Sequence, residues 1–172
     1  MITITKATKH DLTALSRKLL ELLKDTNSQL YQENVAKFGI PKAYVEKAFS
    51  EETIQKAVGS GKSAIYLALE NGEILGFAQT VRHDQSLVEL DRIVIFPEHT
   101  RKGIGTELLA HVLEDERRQG TRTVIVNAGK DELHARKFYE KNGFKPLKES
   151  TIDTPWGNQL TLVVYKFELK TR

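Results

Sequence analysis

Residues 93–109 constrain the fold of this chain more than any other stretch: Ile-Val-Ile-Phe-Pro-Glu-His-Thr-Arg-Lys-Gly-Ile-Gly-Thr-Glu-Leu-Leu. An apolar, β-branched run enters a short basic turn with two glycines. The turn then enters a segment whose apolar residues Ile104, Leu108, Val112 and Leu113 recur at helical spacing. That order is strand, tight turn, helix. Gly103 and Gly105 carry no Cβ, so their amides can approach a ligand closely and in conformations closed to other residues. Those amides would lie at the open N-terminus of the helix, where its dipole favours negative charge. Arg101 and Lys102 add two cations at the same place. The stretch reads as a seat for a pyrophosphate.

Two nucleotide-binding patterns fail here on their own residues. A P-loop needs Gly-x-x-x-x-Gly-Lys-Ser/Thr, and no Gly-Lys-Ser/Thr follows these glycines. Gly61-Lys62-Ser63 has Lys56 where the first glycine belongs. The dinucleotide fingerprint Gly-x-Gly-x-x-Gly meets Leu108 at its third glycine.

Around this segment the periodicity alternates between two and 3.6. Residues 2–7 read as a strand, and a helix from about Asp11 carries Leu12, Leu15, Leu19, Leu22 and Leu23 on one face. Asp25-Thr26-Asn27-Ser28 breaks it, and residues 29–60 read as further helix interrupted at Gly39-Ile40-Pro41. Strands at 64–69 and 74–82 flank Glu70-Asn71-Gly72-Glu73, a hairpin signal. A strand at 86–96 is closed by Pro97, and the helix 103–119 is ended by Gly120. There follow a β-branched strand at 123–127, a helix at 131–141 and strands near 144–151 and 159–168. The order β-α-α-β-β-β-α-β-α-β-β predicts one α/β domain over residues 1–172, with a mixed, mostly antiparallel sheet covered by helices.

A second motif lies at residues 132–144, Glu-Leu-His-Ala-Arg-Lys-Phe-Tyr-Glu-Lys-Asn-Gly-Phe. With the glycine turn and the strand order, it resembles the GNAT superfamily of N-acetyltransferases. That family carries Gln/Arg-x-x-Gly-x-Gly/Ala at a strand-to-helix turn, and Asn-x-x-Ala-x-x-x-Tyr-Glu-Lys-x-Gly-Phe near the C-terminus. Gly103 and Gly105 match the small positions of the first pattern, with Thr100 in place of Gln or Arg and Arg101 one residue later. Ala135, Tyr139, Glu140, Lys141, Gly143 and Phe144 match the second, with Glu132 in place of Asn; Asn127 offers a substitute amide.

The resemblance implies a GNAT fold whose fourth and fifth strands, residues 86–96 and 123–127, splay apart to admit the pantetheine of acetyl-CoA. It implies that Ile93, Val94 and Ile95 pair with the pantetheine amides. The pyrophosphate would fall on Arg101, Lys102, Gly103, Ile104, Gly105 and Thr106, with Thr100, Asn127, Glu132, Ala135 and Tyr139 also against the cofactor. Tyr139 takes the position whose hydroxyl lies near the cofactor sulfur; the other reading of this residue is a core tyrosine. The resemblance also places the acceptor wall at Tyr31, Glu33, Phe38, Tyr44 and Trp156, residues equally suited to a core and a solvated acid. Homodimers through the C-terminal strands or the sheet edge are common in that family.

The activity implied is direct transfer of acetyl to a primary amine, with a non-catalytic acyl-CoA-binding domain as the alternative. An alkylamine resembling lysine has a pKa of ~10.4, so its neutral form at pH 7 costs about 4–5 kcal/mol. A carboxylate near the nucleophile, directly or through water, can take that proton. Glu89 and Asp91, two residues apart on one strand, are expected on the same face with Ile93 and Ile95, as catalytic bases, as salt-bridge partners of Arg92 or Arg82, or as solvent-exposed acids at the start of the strand.

Composition narrows the field further. The chain has no cysteine, which excludes disulfides, thiolate catalysis and a covalent enzyme thioester. The five histidines show no metal-ligand pattern, and the net charge of +3 with interspersed signs argues against a nucleic-acid surface. No window approaches the ~20 apolar residues of a membrane helix. A cytoplasmic location is expected.

Overall fold

The computed structural model describes residues 1–100 and 102–170. Its residues form two compact units, Lys6–Ala64 and the remainder of the chain.

In the first of these, α1 (Lys9–Lys24) begins at a capping box: Thr8 Oγ1 accepts from the Asp11 amide, and Asp11 Oδ2 accepts from the Thr8 amide at 2.8 Å. Leu12, Leu15, Leu19 and Leu23 are buried as their spacing predicts. The stretch expected to be helical up to residue 60 is in pieces. A short α2 (Gln29–Tyr31) runs into a π-helical turn (Gln32–Ala36), and after Gly39-Ile40-Pro41 come α3 (Lys42–Ala48) and α4 (Glu51–Gly59). The break between α3 and α4 is set by Ser50, whose hydroxyl caps the Thr53 amide. Ser16 Oγ donates to the Phe49 carbonyl at 2.7 Å, tying α1 to that break.

The other unit is built on a seven-stranded sheet in the order β1-β2-β3-β4-β5-β7-β6. The strands are β1 (Thr3–Lys6), β2 (Ser63–Glu70), β3 (Glu73–Arg82), β4 (Leu87–Ile95), β5 (Thr123–Gly129), β6 (Lys145–Asp153) and β7 (Gln159–Glu168). Two helices belong to this unit, α5 (Ile104–Arg118) and α6 (Leu133–Lys141). β4 and β5 are parallel, as a strand-helix-strand crossover through α5 requires. β3 with β4, β5 with β7 and β6 with β7 are antiparallel. The expected mixed sheet flanked by helices is the observed one.

Burial of α5 explains its position. Ile104, Leu108, Leu109 and Val112 are buried, with Leu109 taking the place expected for the half-buried Leu113. Ile104 packs in one cluster with Ala68, Leu75 and Ile95. At the far end of the helix, Arg82 of β3 donates to Glu116 Oε2 at 2.8 Å and to Thr121 Oγ1 at 3.0 Å. The Glu116 side chain is 3 % exposed, so this bonded pair satisfies a carboxylate that burial would otherwise penalise.

Candidate active site

The pairing of β4 with β5 runs from Leu87↔Thr123 to Leu90↔Val126 and stops, although β4 continues to Ile95 and β5 to Gly129. Beyond that point each strand is held only by its outer neighbour. β3 follows β4 to Gly76↔Ile95, and β7 follows β5 to Gly129↔Leu162. The two inner edges therefore part, leaving backbone groups of Ile93, Val94 and Ile95 along one side of a wedge. These are the strands expected to splay.

Where the wedge opens, β4 is irregular. Gln79 pairs with Arg92 and Thr80 with Leu90, so Asp91 is an extra residue in the ladder, a β-bulge. One inserted residue reverses the side on which every later side chain falls. Ile93 and Ile95 consequently share the face of Leu90, the face covered by α5. Glu89, Arg92 and Val94 share the opposite one. The expectation that Glu89, Asp91, Ile93 and Ile95 lie on one face is corrected by this bulge. Asp91 itself is exposed and receives long contacts of 3.4 Å from Arg92 Nε and Nη2.

Glu89 sits where the strands part, on the face away from α5. Its Oε1 lies 2.8 Å from His83 Nε2, and its Oε2 accepts from Asn127 Nδ2 at 3.4 Å. Asn127 is the first β5 residue beyond the paired stretch. His83, six residues from Glu89, is a functional candidate that no metal-ligand spacing marks in the sequence. The available signal was the hairpin: a strand ending at Arg82 and another starting at Leu87 bring 83 and 89 to one end of the sheet.

The other face carries Tyr139. Its ring lies 5.5 Å from Phe138, 5.7 Å from Phe144 and 6.2 Å from Tyr165 between centroids. Tyr165 pairs across the sheet with Val126, the last β5 residue bonded to β4. Tyr139 thus stands at the same level as Glu89, on the opposite side of the sheet. Tyr139 is 7 % exposed, and its hydroxyl has no hydrogen-bond partner among the described residues. Burial, aided by the charge of Glu132, pushes its phenol well above the ordinary value of 10.0. Beneath it, the Tyr165 hydroxyl donates to Glu140 Oε2 at 2.8 Å and accepts from Arg136 Nε at 2.9 Å, which pins α6 to the sheet.

The glycine turn lies at the mouth of the wedge. Gly103 takes φ 75° and ψ 9°, the left-handed conformation that favours glycine, and starts α5 with no side-chain cap. The first intrahelical donor is the Glu107 amide, bonded to the Gly103 carbonyl at 3.1 Å. The amides of Ile104, Gly105 and Thr106 precede it at the positive end of the helix. A methyl group on Gly105 would lie 3.4 Å from Phe138 Cε1 and 3.7 Å from Ile95 Cγ1, so α5, α6 and β4 converge here. Lys102 is exposed beside the turn. Thr100 Oγ1 donates to the Pro97 carbonyl at 3.0 Å, within its own turn. Arg101 lies outside the described residues.

Glu132 precedes α6, and its Oε1 accepts from the Gly129 amide at 2.9 Å, closing the turn out of β5. Ala135 is half-buried in the first turn of α6. In the Lys6–Ala64 unit, Glu33 Oε1 accepts from Gln29 Nε2 within the helical stretch, and Tyr44 is 54 % exposed. Before the glycine turn, Glu73, Glu98 and His99 bring three possible ligand atoms within 4.8 Å of one another.

The central parallel pair of the sheet thus separates beside an uncapped, glycine-started helix. Residues 18–144 match the Acetyltransferase (GNAT) family, and the chain belongs to that family. Over 103 residues it is 27 % identical to an uncharacterized N-acetyltransferase of Mycobacterium tuberculosis, covering 60 % of this chain and 66 % of that protein. The chain thus matches just under two thirds of the length of that curated relative. An N-acetyltransferase from Staphylococcus aureus Mu50 superposes with a TM-score of 0.73 at 22 % identity, covering 99 % of both chains. The PaiA N-acetyltransferase from Thermoplasma acidophilum, solved in complex with coenzyme A, superposes with a TM-score of 0.70 at 22 % identity, covering 97 % of this chain and 99 % of that one. Among the described residues no helix is long and apolar enough to cross a membrane.

Proposed function

We propose that this chain is an acetyl-CoA-dependent N-acetyltransferase that moves acetyl directly to a primary amine, with residues 1–172 acting as one catalytic domain. The observation that carries the reading is the place where β4 and β5 part, with Glu89 on one side of the sheet and the partnerless hydroxyl of Tyr139 on the other.

The wedge fits the cofactor on three counts. The free edge of Ile93–Ile95 offers backbone groups to the pantetheine amides. The amides of Ile104, Gly105 and Thr106, with Lys102 beside them, suit the pyrophosphate. The Tyr139 hydroxyl, lacking a protein partner among the described residues, suits the sulfur. When bound, acetyl-CoA supplies an acetyl group on an activated thioester.

The chain's own residues supply positioning and proton transfer. Holding both reactants in the wedge removes a bimolecular term that reaches about 7–11 kcal/mol in favourable cases. Glu89 takes a proton from the acceptor ammonium, offsetting the about 4–5 kcal/mol that the neutral amine costs at pH 7. Tyr139 remains protonated at neutral pH and donates to the departing thiolate. Asp91, on the bulge and exposed, is the less suited base. A cytoplasmic location and a homodimer through the exposed edge strand β6 belong to the same reading.

Thiol release, followed over a panel of spermidine, tyramine, 2-aminoethylphosphonate and an alanine-initiated peptide, tests the proposal. Turnover of at least one amine is expected. Calorimetric binding of CoA with no turnover on any of them would support the non-catalytic alternative instead.

A further inference from the structure

The two oxygens of Glu89 are held unequally. Oε1 lies 2.8 Å from His83 Nε2, a full-strength contact, whereas Oε2 meets Asn127 Nδ2 at 3.4 Å, beyond the usual range. His83 is itself fixed. It follows β3 directly, and its amide donates to the Leu87 carbonyl at 3.0 Å. The next residue, Asp84, accepts through Oδ1 from the Ser86 amide at 2.7 Å and the Leu87 amide at 2.8 Å, closing the turn between β3 and β4. These backbone hydrogen bonds hold the Asp84 carboxyl below its ordinary pKa. The turn is thus ordered by its own side chain, and it presents one imidazole to one carboxylate at the end of the sheet. The His83 side chain is 43 % exposed and that of Glu89 21 %, so burial gives this contact no evident role in the core.

We infer that His83 is the positioning residue of the base: its imidazole anchors Glu89 Oε1, so that Oε2 is the oxygen turned to the acceptor amine where β4 and β5 part. The weak Asn127 contact is the one the amine displaces. Anchoring matters because a carboxylate outside the packed core has several rotamers, and misplacement of a reacting group by about 1 Å can cost 10²-fold in rate. The inference rests on the acetyltransferase reading of the wedge and deepens it, since it assigns separate roles to the two oxygens of one carboxylate.

The test compares wild type, His83→Ala, His83→Gln and Glu89→Gln with acetyl-CoA and the amine of the panel above that turns over fastest. Gln keeps an N–H donor at about the reach of Nε2; Ala removes it. The inference expects His83→Ala to lose about 10- to 100-fold in kcat with the KM for acetyl-CoA within about twofold. His83→Gln should keep most of the wild-type kcat, and Glu89→Gln should fall by about 10²-fold or more. The double variant His83→Ala/Glu89→Gln should be no slower than Glu89→Gln, because an anchor has nothing to hold once the base is gone. Full activity in His83→Ala beside a dead Glu89→Gln overturns the anchor and leaves the base standing. Equal loss in His83→Ala and His83→Gln, with activity of the Ala variant restored by added imidazole, overturns it in favour of proton relay. Wild-type activity in Glu89→Gln removes the base, and the anchor with it. Thermal unfolding of each variant guards against loss of fold; should His83→Ala unfold early, His83→Asn serves as the second donor-displacing variant.

Discussion

Replacing Tyr139 with phenylalanine removes one oxygen and leaves the ring contacts with Phe138, Phe144 and Tyr165 in place. That oxygen has no hydrogen-bond partner among the described residues, so its loss breaks no bond. A fully buried hydroxyl without a partner is penalised by about 1–3 kcal/mol, but this oxygen is not among the fully buried unpartnered atoms and keeps some contact with solvent. Its residual exposure of 7 % discounts that figure. Tyr139→Phe should therefore leave stability unchanged or raise it by up to about 1 kcal/mol, which is about 2–4 °C in Tm for a chain of this length. The kinetic effect should run the other way. Loss of a general acid costs about 10²–10⁴ in rate, or about 2.7–5.4 kcal/mol at 1.36 kcal/mol per decade. Tyr165→Phe is the control. It removes the bonds to Glu140 and Arg136 and should lower stability by about 2 kcal/mol while sparing most of kcat. Thermal unfolding, thiol release and CoA calorimetry on the two variants separate the effects. A Tyr139→Phe enzyme with full kcat refutes the acid assignment. One that loses as much stability as Tyr165→Phe refutes the claim that its hydroxyl lacks a structural bond.

The remaining predictions concern backbone and pH. Gly103→Ala meets no atom within 4 Å, so its cost is the left-handed conformation alone, about 1 kcal/mol. If the free loop relaxes out of that conformation, binding must restore it, and calorimetry should show CoA affinity falling about fivefold; unchanged affinity refutes the seat. Gly76→Ala would put a methyl 2.5 Å from the Val94 carbonyl oxygen and 2.7 Å from Ile95 Cδ1. It should destabilise by about 1–3 kcal/mol in thermal unfolding and raise the KM for acetyl-CoA, because the strand it displaces lines the wedge. Tyr66 and Tyr139 both have phenols raised by burial, Tyr66 also by its 2.5 Å hydrogen bond to Asp115. A group raised in the folded state gives stability that is complete below its unfolded value of about 10 and lost as pH climbs through the folded value. Unfolding should therefore set in above pH ~10, later in Tyr139→Phe than in wild type, as followed by circular dichroism and phenolate absorbance.

How much of this could be read from the sequence depends on the range of the signal. The glycine turn, the hairpin at Asn71-Gly72 and the spacing of Leu12, Leu15, Leu19 and Leu23 are local marks with local causes, and the structure has them where the chain writes them. The break at Ser50 was legible too, since Ser50 and Thr53 stand at capping distance, but the apolar run masked it. The bulge at Asp91 has only a faint mark. No glycine or proline announces it, but Glu89-Leu90-Asp91-Arg92-Ile93 reads polar, apolar, polar, polar, apolar, so the alternation slips by one where the ladder does. Its cause lies across the ladder, in which β3 residue meets which β4 residue, and alternation along one strand carries no information about its partner. The same holds for the point where β4 leaves β5. That point is set by β3 and β7 continuing to hold their neighbours after Leu90 and Val126 have separated. Glu89 was therefore found as a residue type on a strand, but its pairing with His83 and Asn127 was not, because both contacts are products of register. Composition nominates the base; the ladder decides which of its oxygens is free.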